Sequence, residues 1–270
     1  MQREEKIEAF RALHHGPRIL VLPNAWDVAS ARIFEDAGCA AIGTSSAGVA
    51  FALGYADGQH IPRDEMLEVV HRIARAVAVP VTADVESGYG DAVATAQAVV
   101  EAGAIGMNIE DANHYGKGDA ASLLPIDKQV RHIHDIRAAT DLVINARTDI
   151  FLLGIGEADT RFERAVERLN AYLHAGADCA FAPGVRDAET IENLARDVLG
   201  PLNILAVAGT PSIEELEKMD VARVSVGSGP MRATLALLRR IAEELHHRGG
   251  FEIFRDAIPY AELNALLGGK

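Results

Sequence analysis

The feature that most constrains this chain is a recurrence of short apolar, β-branched runs, each arriving after a stretch with helical spacing. The runs lie at residues 19–22, 40–43, 79–83, 105–109, 142–146, 179–182, 202–207 and 222–226. Runs that stay apolar on successive residues suit parallel strands covered on both faces. The intervening segments carry helix punctuation. Asp27 opens one that closes at Gly38, Pro62-Arg63-Asp64-Glu65 opens the next, Asp91 opens one closing at Gly103, and Asp127 opens another. A longer helix starts at Asp159 and closes at Gly176, Asp187 begins the next, and Ser212-Ile213-Glu214-Glu215 reads as a capping box. The phrases Glu35-Asp36-Ala37-Gly38, Glu101-Ala102-Gly103-Ala104 and His174-Ala175-Gly176-Ala177 share one form: a helix end, a C-cap glycine, then a strand.

Eight β-then-α units within about 250 residues match a closed α/β architecture, the (β/α)8 or TIM barrel. An open doubly wound sheet is the alternative, but it rarely needs eight similar units, and no Gly-x-Gly-x-x-Gly follows the first run. No linker or composition break divides the chain, so residues 1–270 read as one domain. Past the eighth run, residues 230–247 read as the last barrel helix. After Gly249-Gly250 the chain turns helical again, making 250–270 a C-terminal extension. Its apolar side chains need a surface, either the barrel bottom or a neighbouring subunit.

Charge narrows the partners. Lys and Arg total 26 against 39 Asp and Glu, a net charge of −13 with no basic run. Such a chain is a poor polyanion binder, so neither nucleic acid nor an anionic membrane is an expected partner. No apolar stretch approaches the roughly 20 residues of a membrane span. The charged start, Met1-Gln2-Arg3-Glu4-Glu5-Lys6, lacks the apolar centre of a secretion signal. Cys39 and Cys179 are too few for a disulfide framework. A cytoplasmic protein is expected.

Barrel enzymes place their chemistry at the C-terminal strand ends. The second run ends in Gly43-Thr44-Ser45-Ser46-Ala47-Gly48, with Asp57 in the following loop. The third ends in Asp84-Val85-Glu86-Ser87-Gly88-Tyr89-Gly90, the fourth in Asn108-Ile109-Glu110-Asp111, and the fifth in Asn145-Ala146-Arg147-Thr148-Asp149. Residues two apart on a strand face the same way, so Asp84 with Glu86, Asn108 with Glu110, and Asn145 with Arg147 would all point into the mouth. Taken singly, each acid reads as a solvated charge or a helix cap. Together, Asp57, Asp84, Glu86 and Glu110 would repel one another unless a positive charge sits between them. A set of oxygens without His or Cys suits Mg²⁺, or Mn²⁺, and not zinc. Arg147 then supplies a fork for a substrate carboxylate or phosphonate. Ser45, Ser46 and Ala47, with small side chains, could form an anion nest or simply a tight turn. Asp91 reads as a helix N-cap.

Asn24-Ala25-Trp26-Asp27 with Ser30-Ala31-Arg32, then Ser45-Ser46, Asp57, the segment from Asp84 to Gly90, Ile109-Glu110-Asp111 and Ala146-Arg147-Thr148-Asp149 together resemble the isocitrate lyase/phosphoenolpyruvate mutase superfamily. The match runs in order from about residue 19 to Arg232. The resemblance implies a Mg²⁺-dependent barrel that makes or breaks a C–C or P–C bond in 2-oxo or 2-hydroxy acids through an enolate. It implies direct metal binding by Asp84, contact through water by Glu86 and Glu110, and Asp57 close by. It gives Arg147 the substrate carboxylate, with Asn145 beside it, and gives the backbone of Ser45, Ser46 and Ala47 the oxo-acid end. It also implies a homo-oligomer, dimer or tetramer, whose last helices swap between subunits. Two departures stand out. Glu86 replaces an Asp, and the loop after the fourth run is Ala112-Asn113-His114-Tyr115-Gly116-Lys117-Gly118. That loop has neither the Lys-Lys/Arg-Cys-Gly-His of isocitrate and methylisocitrate lyases nor the Lys-x-Asn-Ser of phosphoenolpyruvate mutases, so isocitrate lyase activity itself is not expected. Lys117, His114 and Asn113 could do related work from a lid hinged on its glycines, with Lys117 and His114 the catalytic candidates, or the loop is only a solvated connection. The expectation is a lyase that cleaves or decarboxylates a small 2-oxo or 2-hydroxy di- or tricarboxylic acid. The alternatives are a P–C bond enzyme, of phosphonomutase or phosphonopyruvate hydrolase type, and a non-catalytic oxo-acid-binding barrel.

Overall fold

A proline divides the first barrel strand. In the computed structural model, which describes residues 2–114 and 122–268, all strands run parallel in one sheet. They are β1 (Leu20–Leu22), β2 (Asn24–Ala25), β3 (Ile42–Thr44), β4 (Val81–Asp84), β5 (Gly106–Glu110), β6 (Val143–Arg147), β7 (Cys179–Ala182), β8 (Leu202–Leu205) and β9 (Arg223–Ser225). The order is β1-β9-β8-β7-β6-β5-β4-β3-β2. β1 pairs with β9 and β2 with β3. Pro23 between them has no N–H to give a ladder. The eight expected runs are therefore the eight staves of the barrel, one of them broken in two.

The Asn24 side chain bridges that break. Its Oδ1 accepts the N–H groups of Val226 at 2.9 Å and Gly227 at 2.8 Å, while its Nδ2 donates to the Thr44 carbonyl at 2.9 Å. A Cβ on residue 43 would come within 2.8 Å of that Nδ2, so the bridge requires Gly43. The last stave is thereby tied to the first at the mouth of the barrel.

Helices α2 (Val28–Asp36), α4 (Arg63–Ala76), α5 (Ala92–Glu101), α6 (Ile126–Ala139), α7 (Arg161–His174), α8 (Ala188–Asp197), α9 (Ile213–Lys218) and α10 (Gly229–Glu243) follow successive staves, and the short α3 (Ser46–Ala52) lies in the loop after β3. Asp27, Asp91 and Asp187 each accept a first-turn N–H, and Ser212 and Glu215 form the capping box. Two starts differ from the sequence reading. α6 begins after Pro125 and not at Asp127, and α7 after Thr160 and not at Asp159.

The sequence reading had no helix at the N-terminus, yet α1 (Arg3–Leu13) is there. Among its charges Ile7 and Phe10 share a face, and both pack with Leu20, Leu22, Ala41, Ile105 and Val143. These residues lie at the N-terminal ends of the staves, so α1 plugs the barrel bottom. The tail is not needed there. It is also not one helix: Gly249 (φ +66°) ends the helical run, a single turn follows at Glu252–Phe254, and α11 (Tyr260–Gly268) starts after Pro259. α11 lies against α2, where Arg32 donates two hydrogen bonds to the Leu266 carbonyl at 3.2 and 3.0 Å. Leu235, Leu238, Phe251 and Phe254 remain exposed. No helix among the described residues is long and apolar enough to cross a membrane.

Candidate active site

Strand register brings the mouth residues together. Asp84, Asn108 and Asn145 are opposite one another on β4, β5 and β6, and Glu110 is opposite Arg147. Asn145 donates to Asn108 Oδ1 at 2.9 Å, and Asn108 donates to Asp84 Oδ1 at 2.7 Å. The other Asp84 oxygen accepts the Ser46 N–H at 3.0 Å and its hydroxyl at 2.7 Å. Glu110 is buried between two cationic groups: Arg147 Nη1 lies 3.0 Å from Oε2 and His114 Nε2 lies 2.7 Å from Oε1. Arg147 also donates from Nε to Asp149 Oδ1 at 2.7 Å, with its guanidinium 5.8 Å above the Phe181 ring.

Asn108 and Glu110 on β5 and Arg147 on β6 face the cavities, as strand spacing predicts, whereas Asn145 is buried beside Asn108 and lines neither cavity. Glu86 arrives differently. β4 ends at Asp84, and the chain then enters a turn in which both Glu86 (φ +51°) and Tyr89 (φ +52°) are left-handed. A Cβ on residue 88 would meet the Ala92 backbone at 2.8 Å, so this turn depends on Gly88. It delivers the Glu86 carboxylate to the same cavity, where the Tyr89 hydroxyl donates to it at 3.2 Å.

Two cavities meet here. One, of about 250 Å³, is lined by Asp57, Glu86, Glu110, His114, Arg147 and Asp149 among others. The second, of about 290 Å³, holds Ser45, Ala47, Asp84 and Asn108. Ser46, Asp57 and Arg147 line both. Asn145 lies behind the wall at 1% exposure, and Lys117 falls outside the described residues. The 45–47 run is largely engaged: Ser45 N–H goes to the Ala25 carbonyl, Ser45 Oγ caps α3, and Ser46 is bound to Asp84. The Ala47 N–H has no acceptor among the described residues.

The electrostatics follow from crowding. Burial, then Glu110, Asp84 and Asp57, push the Glu86 carboxyl up to about 8. Burial, then Asp84 and Glu110, likewise raise Asp57. Burial opposes the charge on Glu110, but Arg147 and His114 outweigh it and hold its carboxyl below the usual range. The hydrogen bond to Glu110 raises His114 in turn. Glu86, Glu110 and His114 offer ligand atoms within 4.8 Å of one another. Asp57, Asp84, Glu86 and Glu110 outnumber the Arg147 and His114 that face them, a deficit that a divalent cation would fill.

Behind Arg147 stands a strut the sequence did not disclose. Asp111 is fully buried; its Oδ1 accepts the Asp149 N–H at 2.9 Å, and its Oδ2 accepts the Tyr172 hydroxyl at 2.7 Å and Arg168 Nη1 at 3.0 Å. Arg168 and Tyr172 come from α7, where only their spacing of four marks them as one helix face. Asp111 is thus a support and not a mouth residue.

A parallel (β/α)8 barrel whose mouth sets an acidic cluster against an anchored arginine is the architecture of a barrel enzyme acting on small anions. The family model described as phosphoenolpyruvate phosphomutase matches residues 10–246, and the chain belongs to this family, within the isocitrate lyase/phosphoenolpyruvate mutase superfamily. It is 34% identical over 223 residues to an oxaloacetate decarboxylase of Rhodopseudomonas palustris, covering 79% of this chain and 73% of that one. It is 28% identical over 285 residues to a 2-methylisocitrate lyase of Bacillus subtilis, covering 98% and 93%. Among solved structures, a phosphonopyruvate hydrolase in complex with oxalate and Mg²⁺ matches with a TM-score of 0.85 at 25% identity, covering 97% and 95%.

Proposed function

We propose that this enzyme is a Mg²⁺-dependent lyase that cleaves a C–C bond in, or decarboxylates, a small 2-oxo or 2-hydroxy di- or tricarboxylic acid through an enolate. The observation that carries the reading is the buried acid cluster facing Arg147 across one cavity. The donor set is dominated by carboxylates, and the structure adds His114 to the oxygens expected from the sequence; a hard divalent cation suits it, with Glu86 too crowded to ionise in its ordinary range. Asp84 would hold the cation, with Glu86, Glu110 and Asp57 around it; Mn²⁺ would suit the same oxygens. When bound, the cation supplies Lewis-acid stabilisation of the charge that gathers on the substrate oxygen. The similarity to a structure holding oxalate and Mg²⁺ supports this cofactor.

The chain's own groups do the remainder. Arg147 uses Nε on Asp149 and Nη1 on Glu110, which leaves Nη2 without a partner among the described residues to take the substrate carboxylate. The Ala47 N–H, which meets no acceptor among the described residues, is proposed for the oxo end. The electron pair released by bond cleavage moves onto the oxo oxygen and must be quenched by a proton at carbon. His114, held by Glu110 in the same cavity, is positioned to hold that proton. Asp57, on the rim of both cavities, is the second candidate. Lys117 belongs to the same loop as His114 and is proposed beside it.

The test is exchange of the pyruvate methyl protons in D₂O. Mg²⁺-dependent exchange supports the enolate, and its absence with Mg²⁺ bound refutes it. P–C bond chemistry is the second reading, favoured by the similarity to phosphonopyruvate hydrolase, and phosphate release from phosphonopyruvate would select it. We further propose a cytoplasmic homo-oligomer, a dimer or tetramer in which the tail reaches a neighbour. The exposed Leu235, Leu238, Phe251 and Phe254 support this. Light scattering that returns the monomer mass would exclude it.

A further inference from the structure

The cavity that adjoins the acidic cluster carries cations that this chemistry leaves unused. Arg223, the first residue of β9, lines it at 3% exposure, and its Nε and Nη1 have no hydrogen-bond partner. Thr82, on the same lining, also has an unpartnered hydroxyl. A buried guanidinium with unmet donors is costly unless an acceptor enters the cavity to meet them. Burial lowers its pKa only to about 10, so it is charged at neutral pH. On the solvent side Arg186, in the loop between β7 and α8, lines the same space and has no carboxylate partner among the described residues. Among the described residues the acids on this lining are Asp57 and Asp84, which belong to the proposed cation site.

We propose that this cavity is a carboxylate subsite. A second substrate carboxylate, remote from the one on Arg147, is taken by Arg223 from within the barrel and by Arg186 from the loop above. The inference rests on the proposed function and deepens it: the substrate is a dicarboxylic or larger acid, and a 2-oxo or 2-hydroxy monocarboxylate leaves these donors unmet. Arg186 is then a specificity residue that acts on the far end of the substrate and not on the cation.

Lactate and malate differ only by the second carboxylate, and oxalate reports the cation and Arg147 alone. The experiment is calorimetric titration of the full-length protein with each, in saturating Mg²⁺. Malate is expected to bind at least about tenfold more tightly than lactate, the scale of one charge-assisted pair. Arg186→Gln should shrink that ratio several-fold with oxalate affinity within about twofold of wild type. Arg223→Gln should shrink it further. Arg186 is exposed, so its replacement does not threaten the fold. Equal binding of malate and lactate while oxalate binds would overturn the subsite and leave the proposed function standing. So would variants that weaken oxalate as much as malate. Oxalate that fails to bind with Mg²⁺ would overturn the proposed function, and the subsite with it.

Discussion

Replacing Arg147 with lysine keeps the positive charge and removes the fork. In the structure the guanidinium spans two acids at once, Nε to Asp149 at 2.7 Å and Nη1 to Glu110 at 3.0 Å, and Nη2 has no partner among the described residues. A lysine ammonium offers its donors from a single atom, so it cannot bridge those two acids and also meet a carboxylate side-on. At least one charge-assisted bond to the ligand is lost, worth ~1.5–3 kcal/mol, or a roughly 10- to 150-fold rise in the oxalate Kd. Asp84, the proposed direct ligand, is untouched and only the bond to Glu110 is altered, so the Kd for Mg²⁺ should rise less than the Kd for oxalate. Calorimetric titration of oxalate in saturating Mg²⁺, and of Mg²⁺ alone, reads both quantities, with the melting temperature as a control on the fold. An oxalate affinity within twofold of wild type would refute the role given to Arg147. So would an equal loss in Mg²⁺ affinity, since the two sites would then not be separable.

Three further outcomes follow from the geometry. Asp84→Ala should remove the rise in melting temperature that Mg²⁺ gives the wild type; normal Mg²⁺ affinity in that variant would eliminate Asp84 as the ligand. Because Glu86 is raised from 4.5 to about 8, the stability it contributes is fully present below pH 4.5 and fades as pH climbs toward 8. Asp57 and Asp149 are raised as well and act in the same direction, so metal-free protein should melt lower above pH 8 than near pH 5. Glu86→Gln should flatten that slope in part, and an unchanged slope would show that Glu86 does not titrate there. Tyr172→Phe deletes one hydroxyl from the support of Asp111 and leaves the ring packed, so chemical denaturation should show a loss of ~1.5–3 kcal/mol. No measurable loss would mean that Arg168 and the Asp149 N–H suffice to hold Asp111.

The barrel was legible because its units repeat. A C-cap glycine followed by an apolar run marks three of the helix-to-strand passages locally, at Gly38, Gly103 and Gly176, without reference to the rest of the chain. The break at Pro23 was legible in principle, but the run 19–22 hid that pairing changes from β9 to β3 across it. α1 was not, since its apolar face is narrow, with Ile7 and Phe10 as its buried residues among Arg and Glu. At the site, the shared direction of Asn108, Glu110 and Arg147 followed from strand period, but alternation did not show that Asn145 would be sealed behind Asn108. Glu86 did not follow from that period, because its position depends on a left-handed turn that alternation cannot foresee. The Asp111–Arg168–Tyr172 strut joins β5 to α7 across some sixty residues, and such a contact leaves no local mark. Arg223 and Arg186 were equally silent, being single cations on separate loops and strands until the barrel closes.

The most direct test of the central claim is a coupled assay with Mg²⁺, offering oxaloacetate, 2-methylisocitrate, dimethylmalate and phosphonopyruvate and detecting pyruvate, glyoxylate or phosphate. The account expects pyruvate or glyoxylate from a carbon acid, lost on chelation of the metal and sharply reduced in Arg147→Lys. Phosphate from phosphonopyruvate with no product from any carbon acid would contradict it.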